Sequence, residues 1–275
     1  MPLLPTRTVE KVWGRRDLPP PFASHHQEPV GEIWFEPPPE LKALLVKYIF
    51  TSEKLSVQLH PTDAQAEAAG QGRQGKEECW FILDAEPGAS LAIGFDEPLS
   101  GEQIRSAALD GSIEQRMTWH PVKPGNFFYI PANTVHAIGA GISLIEIQQN
   151  SDITYRLYDY GRPRELHLDE GVPIALGTPY PGSNRQHIAP AGEQWLVDGP
   201  LFRVLRYDGS PSADAAARFA PAPVLAIPIT GEAEVAGERV RPGQCALARS
   251  VGDIVPGAGT RGLIAQPLPE HANRS

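Results

Sequence analysis

The stretch that most constrains the fold runs from residue 124 to residue 156, PGNFFYIPANTVHAIGAGISLIEIQQNSDITYR. Its opening Pro-Gly pair predicts a turn, and residues 127–130, FFYI, are of types that favour a β-strand. Residues 131–133 interrupt that strand, residues 135–138 resume it, and residues 142–149 predict a further strand. The pattern favours a small β-barrel in which a turn between strands directs His136 inward.

The spacing of four residues around that turn is informative. Gly125, Pro131, Asn133 and His136 follow G-x5-P-x-G-x2-H, except that Asn133 stands where the pattern has Gly. Asn tolerates positive φ better than other non-Gly residues, so the departure is mild. The pattern resembles the second half of a cupin motif. That resemblance implies a mainly β fold, a double-stranded β-helix barrel with a metal site, accompanied by a few short helices.

Composition excludes several classes of function. The 275 residues carry a formal net charge of -9, which argues against a nucleic-acid or anionic-membrane partner. Two cysteines, Cys79 and Cys245, supply neither a disulfide framework nor a thiolate metal set. The N-terminal segment has no continuous apolar region of a signal peptide, and residues 41–50 are too short and too interrupted by lysines to span a membrane. We therefore expect a cytoplasmic protein.

The chain is long enough for one large domain or two small ones, and its 29 Pro and 26 Gly indicate many short strands and turns. We expect a metal-binding barrel over residues 1–160, a connector over 161–200, and a smaller degenerate barrel over 201–275. Residues 241–247, RPGQCAL, echo residues 123–129, KPGNFFY. Ile254 stands where the second copy would need a histidine, so we expect that barrel to be metal-free. Residues 1–30 are predicted to be mostly loop, and residues 100–117 a helix that starts with a Ser100–Gln103 capping box.

Strand parity predicts a metal site. Side chains alternate between the two faces of a strand, so Gln58 and His60 share a face, and Glu78 lies on the face opposite Cys79. His136 would approach from a neighbouring strand. Two imidazoles, a carboxylate and an amide oxygen suit a borderline divalent cation. Because no thiolate is present, an open site with room for substrate is favoured over a closed structural zinc site.

Four blocks carry a more specific resemblance: SVQLHPTD (56–63), GKEECWFIL (75–83), GNFFYIPANTVHAIG (125–139) and SDITYRLYDYGR (151–162). In this order they resemble the signature blocks of type I phosphomannose isomerases in their short bacterial form. The resemblance implies one zinc ion per chain and interconversion of mannose 6-phosphate and fructose 6-phosphate. It also implies metal ligands at Gln58, His60, Glu78 and His136, and an active-site arginine at Arg156.

The reaction itself moves a proton between C1 and C2 of the sugar through a cis-enediol or enediolate. A fixed positive charge must stabilise the developing oxyanion, and Arg156 suits that role because a guanidinium stays protonated. Glu146 and Asp152 are alternative proton carriers, and Lys76 either binds the sugar or takes part in proton transfer. We further expect substrate-binding roles for Glu32, in the GEIW sequence, and for Lys54.

Other readings stay open from the sequence. One is a non-catalytic cupin that binds a sugar; another is an isomerase of an unphosphorylated or different sugar. A third is a cupin oxygenase, against which the Gln ligand and the acid–arginine set argue. The native metal, the proton-transfer base and the oligomeric state are undetermined by these patterns.

Overall fold

Two antiparallel sheets surround the predicted metal ligands. The computed structural model describes residues 2–219, 222–268 and 271. The first sheet has seven strands in the order β1 (Thr6–Asp17), β2 (His25–Phe35), β3 (Leu44–Phe50), β10 (Ile142–Gln149), β5 (Glu78–Ala85), β8 (Asn126–Ile130) and β12 (Arg185–His187). The second has five in the order β11 (Tyr155–Tyr158), β4 (Val57–Leu59), β9 (His136–Ile138), β6 (Ser90–Phe95) and β7 (Met117–Pro121). The mainly β fold expected from the sequence is confirmed.

Two further sheets are formed by the C-terminal third. One has the order β13 (Gln194–Asp198), β14 (Phe202–Asp208), β20 (Arg261–Pro267), β15 (Val224–Thr230) and β18 (Ala246–Ala248). The other has the order β17 (Glu238–Val240), β16 (Ala233–Val235) and β19 (Ile254–Pro256). Ile254, at the position equivalent to His136, is buried in an apolar cluster of this unit. Because β12 and β13 both lie between residues 161 and 200, that stretch contributes to sheets on both sides, and the proposed domain division stays a prediction.

Helices are few and short. The described residues include α1 (Asp63–Ala68), α2 (Gly101–Asp110), α3 (Ile113–Arg116), α4 (Leu168–Gly171) and α5 (Ala213–Arg218). Single 3-10 turns cover Pro39–Leu41, Val172–Ile174, Gly182–Asn184 and Val251–Asp253. The Ser100–Gln103 capping box is present, but the helix predicted for residues 100–117 is broken by Gly111, which is left-handed at φ 82°. None of the helices in the described part has the length and apolar character needed to cross a membrane.

The prediction of a loop over residues 1–30 was wrong. β1 and β2 pair through most of this segment, with register shifts between Val9 and Glu10, between Glu10 and Arg15, and between Arg15 and Asp17. Cross-strand pairing, which is a non-local interaction, overrides the weak strand propensity of the segment. This hairpin extends the first sheet and brings Glu32 toward its centre through the β2–β3 pair.

The core follows the predicted parity. Trp80 and Ile82 belong to one apolar cluster, whereas Cys79 and Phe81 belong to another that includes residues of the C-terminal sheets, such as Phe202. One face of the first sheet therefore contacts the C-terminal unit, and the opposite face surrounds the predicted metal ligands. Asn133 adopts φ 68°, the positive value that its place in the turn pattern requires.

Candidate metal centre and active-site cavity

Three predicted ligands converge at the ends of three strands. His60 directly follows β4, Glu78 begins β5 and His136 begins β9. One potential ligand atom from each lies within 4.8 Å of the other two, and each residue is only 1% exposed. The positive-φ turn at Asn133 contributes to this convergence, because the Asn133 amide N–H donates to the His60 carbonyl at 2.7 Å.

Hydrogen bonds determine which imidazole nitrogens face the centre. His60 Nδ1 lies 2.8 Å from the Ile153 carbonyl oxygen, and His136 Nδ1 lies 2.9 Å from the Thr134 carbonyl oxygen. Since a carbonyl only accepts, each Nδ1 must donate, and a neutral ring then presents its Nε2 as a lone pair. Metal-binding histidines use the same arrangement to orient the ring.

The facing atoms fit a bound cation. His60 Nε2 and His136 Nε2 each lie 3.5 Å from an oxygen of the Glu78 carboxylate. Lone pairs facing a carboxylate repel one another unless a positive charge lies among them. The chemistry and burial of this donor set therefore suit a divalent metal.

Gln58 completes the predicted set from the same strand as His60. It pairs with His136 across β4 and β9, and its Nε2 lies 3.5 Å from His136 Nε2. Its Oε1 accepts a hydrogen bond from Ser56 Oγ at 3.0 Å. An amide rotated by 180° presents oxygen toward His136 instead, and its two ends are distinguished only by their hydrogen-bond partners. Gln58 is thus placed to supply an oxygen to the same centre.

Buried charges around the centre perturb one another. Lys76 Nζ lies 2.9 Å from Glu78 Oε2 and 3.2 Å from His60 Nε2. Burial raises the pKa of Glu78 to about 7, helped by the Glu146 carboxylate and opposed by Lys76. Burial lowers the pKa of Lys76, but Glu78 and Glu146 more than reverse this effect, so its pKa is raised and the amine is charged.

The two imidazoles respond in the opposite direction. Burial, followed by the positive charge of Lys76, lowers the pKa of His136 to about 4. The same two causes, in the same order, lower the pKa of His60 well below its ordinary value. Both rings are therefore neutral near pH 7, which is the form that binds a metal.

A cavity of about 250 Å³ opens beside Gln58 and Glu78. Among the predicted residues that line it are Glu32, Gln58, Lys76, Glu78, Glu146, Asp152 and Arg156. His60 and His136 lie behind this lining, in contact with Glu78. The structure therefore brings the predicted acids, the lysine and the arginine to one cavity beside the metal centre.

Lys54 is placed elsewhere. Its Nζ bonds to the Glu114 carboxylate and lies 5.1 Å from the ring centroid of Trp119, a residue of the second sheet's edge strand β7. It contributes to two other surface depressions and is not among the residues that line the 250 Å³ cavity. Its neighbours Leu55 and Ser56 do line the cavity, so proximity in sequence does not decide the position of Lys54; its contacts with Glu114 and Trp119 hold it elsewhere.

Sequence reasoning missed several residues that line the cavity: Lys11, Trp13, Lys47, Ser56, Thr154 and Arg164. Lys47 had a detectable signal. It interrupts the strand LLVKYIF, every residue of which is buried, and a lysine in such a strand needs a partner. That partner is Glu146, whose Oε1 lies 3.2 Å from Lys47 Nζ.

Arg164 had no comparable signal, because it lies in an irregular segment after β11. Its guanidinium is held by the buried Asp159 carboxylate, with Nε and Nη2 at 2.5 and 2.7 Å from the two oxygens. Arg156 shares the cavity lining, and its Nη1 donates to the Glu165 carbonyl at 2.9 Å. Burial and then the charge of Arg164 lower the pKa of Arg156, which is the effect of two neighbouring cations.

No protein-family model matches this chain. In sequence, it is 37% identical over 186 residues to a mannose-6-phosphate isomerase from Streptococcus mutans, which covers 62% of this chain and 55% of that protein. It is 40% identical over 156 residues to the mannose-6-phosphate isomerase ManA of Bacillus subtilis, covering 54% of this chain and 48% of that protein. The matched region thus spans about half the length of these curated relatives.

Solved structures extend the likeness of fold beyond that region. The mannose 6-phosphate isomerase from Bacillus subtilis superposes with a TM-score of 0.75 at 23% identity, covering 96% of this chain and 99% of that one. A zinc-bound mannose 6-phosphate isomerase superposes with a TM-score of 0.69 at 15% identity, covering 97% and 99%. The chain therefore resembles mannose-6-phosphate isomerases in sequence over about three-fifths of its length, and in fold over nearly all of it.

Proposed function

We propose that this protein interconverts mannose 6-phosphate and fructose 6-phosphate. The observation that carries the proposal is that one cavity joins a buried His–Glu–His cluster to two guanidinium groups, Arg156 and Arg164. Two charges are needed at opposite ends of such a substrate: one where the C1–C2 enediolate develops and one at the phosphate. The choice of sugar is based on the proteins of similar sequence, and both positive charges come from groups at the cavity.

We propose zinc as the metal, held by His60, Glu78 and His136 with Gln58 as a fourth ligand. A divalent cation held there would supply a fixed positive charge able to polarise sugar oxygens and to stabilise the negative charge that develops on the enediolate oxygens. Nitrogen and oxygen donors of this kind suit zinc, and solved relatives of the same fold include a zinc-bound form.

Charge balance in the cavity favours a phosphorylated sugar. Its lining includes five basic residues, Lys11, Lys47, Lys76, Arg156 and Arg164, and four acidic ones, Glu32, Glu78, Glu146 and Asp152. A divalent metal adds two further positive charges, so the occupied site has a surplus of three, of which a phosphate dianion can neutralise two. Arg164 is suited to the phosphate end because Asp159 already fixes its fork geometry.

Between the two alternative proton carriers, Asp152 is favoured. Glu146 is 3% exposed and uses both oxygens, one toward Lys47 and the other to accept from Trp80 Nε1 at 3.0 Å. Although burial raises the pKa of Glu146, Lys76 and Lys47 outweigh burial and lower it. A carboxylate held in this way stays ionised and balances charge. Asp152 is exposed at the cavity and makes no side-chain hydrogen bond within the described residues, so it is available to reach C1 or C2.

The deciding experiment measures turnover of mannose 6-phosphate before and after chelation, and again with zinc restored. We expect activity to disappear with the chelator and return with zinc. His136→Ala is expected to lose both bound zinc and activity, whereas His120→Ala, a half-buried histidine bonded to the Ile93 carbonyl, keeps both. Zinc-loaded, folded protein that fails to convert mannose 6-phosphate would overturn the assignment. A sugar that binds without turnover would then favour a non-catalytic sugar-binding protein.

A cytoplasmic location, expected from the sequence, stays a prediction and is checked by fractionating cells that express the full chain.

A further inference from the structure

A row of side chains crosses the first sheet from its edge to the cavity. Arg7, Trp34, Lys47, Glu146 and Trp80 lie directly opposite one another on the five adjacent strands β1, β2, β3, β10 and β5. Directly opposed residues project from the same face of a sheet and are close enough to interact. We call these five residues the cross-sheet row.

Each neighbouring pair in the row is in polar contact. Arg7 Cζ lies 4.4 Å and Lys47 Nζ 4.3 Å from the ring centroid of Trp34, so the ring lies between two cations. Lys47 then pairs with Glu146, which accepts from Trp80 Nε1. Cation–π contacts of this kind are attractive, and more strongly so where water is excluded.

Trp34 also contacts a second residue that lines the cavity. Its Nε1 donates to Glu32 Oε2 at 2.6 Å, and Glu32 is two residues away on the same strand face. The other neighbour of that carboxylate is Lys11, whose Nζ lies farther away at 3.8 Å. One indole therefore touches Glu32 through its N–H edge and Lys47 through its face.

Trp34 itself does not line the cavity, whereas Glu32 and Lys47 do. Packing in the apolar core does not explain the presence of a tryptophan at position 34, because Trp34 is only half-buried and lies outside the large apolar clusters of the described chain. Its contacts are polar and directed at the two cavity residues. A lysine and a glutamate with long flexible side chains need such restraint to keep one geometry.

We propose that Trp34 is a positioning residue of the active-site cavity, holding Glu32 by its N–H and Lys47 by its ring face, and through Lys47 the carboxylate of Glu146. The kinetic consequence rests on the proposed isomerase function. The structural consequence is independent of that function, because it concerns only whether replacing Trp34 alters the surroundings of Trp80 through the cross-sheet row.

The structural arm uses the indole N–H resonances of the five tryptophans in ¹H–¹⁵N spectra of zinc-loaded protein. Trp34→Leu should shift the Trp80 indole resonance, because Lys47 and then Glu146 lose their restraint. Trp119→Leu is the matched control. The Trp119 ring also makes a cation–π contact with a lysine, and its Nε1 donates to a backbone carbonyl at 3.0 Å, but Trp119 lies outside the cross-sheet row. A Trp80 resonance that responds equally to both substitutions, or to neither, would overturn the proposal.

The kinetic arm separates the two contacts. Trp34→Phe keeps a ring face for Lys47 but removes the N–H, so KM should rise about fivefold to tenfold while kcat stays within about threefold. Trp34→Leu removes both contacts, and kcat should fall about 10- to 100-fold, the scale expected when reacting groups are misplaced by about 1 Å. Trp119→Phe and Trp119→Leu should leave both constants near wild type at comparable Tm. Equal losses in the two tryptophan series would mean a general effect on stability and refute a positioning role. If wild-type protein fails to convert mannose 6-phosphate at all, the proposed function fails and the resonance experiment still decides the role of Trp34.

Discussion

Lys76 Nζ lies 2.9 Å from the Glu78 carboxylate, and both side chains are almost fully buried. Lys76 lies two residues before Glu78, the first residue of β5, and approaches the same centre as the metal-ligand candidates. A buried carboxylate is stable only if a positive charge compensates it. The ammonium of Lys76 and a bound divalent cation can each provide that positive charge. The contribution of Lys76 to the free energy of unfolding should therefore depend on whether metal is bound.

Replacing Lys76 with Met should therefore make stability depend more strongly on metal. Without metal, the variant leaves Glu78 buried and unpaired, and we expect a loss of about 3 kcal/mol in the free energy of unfolding. With zinc bound, the cation restores the compensation and most of that loss should disappear. Urea unfolding with chelator and with zinc measures both quantities. Lys123→Met, at an exposed lysine, serves as the control; an equal loss in both metal states would contradict the coupling.

The neutral histidines predict a pH dependence for the chelated protein. The unfolded chain protonates His136 near its ordinary pKa of 6.5, but the folded chain does so only near 4. Protonation therefore favours unfolding as pH falls across this window, and His60 acts in the same direction. Glu78 acts in the opposite direction, since its pKa is raised from 4.5 to about 7, and so does Glu77, whose pKa burial also raises. Burial lowers the pKa of His120, which adds to the effect of the other two histidines, so three imidazoles outnumber two carboxyls.

We accordingly expect the free energy of unfolding to rise between about pH 4.5 and 6.5, with a slope near 1.4 kcal/mol per pH unit for one net proton. His136→Gln should remove one imidazole and flatten that slope, whereas His25→Gln, at an exposed position, should leave it unchanged. The measurement is urea unfolding of chelated protein at several pH values. A slope that persists in the His136 variant would refute the assignment of a neutral buried imidazole.

Arg164 should distinguish phosphorylated from free sugar. Arg164→Gln removes one charged partner of the phosphate, and KM for mannose 6-phosphate should rise about 10- to 100-fold with little change in kcat. Folding should be preserved because Asp159 keeps Arg162, whose Nη2 lies 2.9 Å from its carboxylate. Arg116→Gln, at an exposed arginine, is the control. An equal effect of Arg164→Gln on binding of unphosphorylated mannose would argue against a phosphate contact.

Substitutions of Asp152 and of Glu146 should cause different kinds of defect. Asp152→Asn removes the proposed proton carrier, so both turnover and exchange of the C2 hydrogen with deuterated water should fall about 100-fold or more. Glu146→Gln leaves that carrier in place but removes the partner of Lys47, so we expect Tm to fall along with a smaller loss of activity. Solvent exchange measured alongside thermal unfolding tests both. Exchange that survives in the Asp152 variant and disappears in the Glu146 variant would reverse the two roles.

Local rules were sufficient where the residues of the site lie on one strand or follow a short turn. The parity of Gln58 with His60, and of Glu78 against Cys79, comes from the period of an extended chain and does not depend on what packs around it. The conformation of Asn133 likewise follows from its place in the turn. These rules identified the metal-ligand candidates and, with the resemblance, most of the predicted residues that line the cavity.

Pairing between distant strands decided the rest. The sequence by itself determined which side chains share a face and that the fold is mainly β, because both depend on the local alternation of residue types. Only the tertiary structure decided that residues 6–35 form a hairpin, that Lys54 points away from the cavity, and that Arg164 reaches it. It also placed Arg7, Trp34, Lys47, Glu146 and Trp80 in one row, since each neighbouring pair depends on the register between two strands. Register is set by interactions far apart in the chain, and those appear only after the sheets have formed.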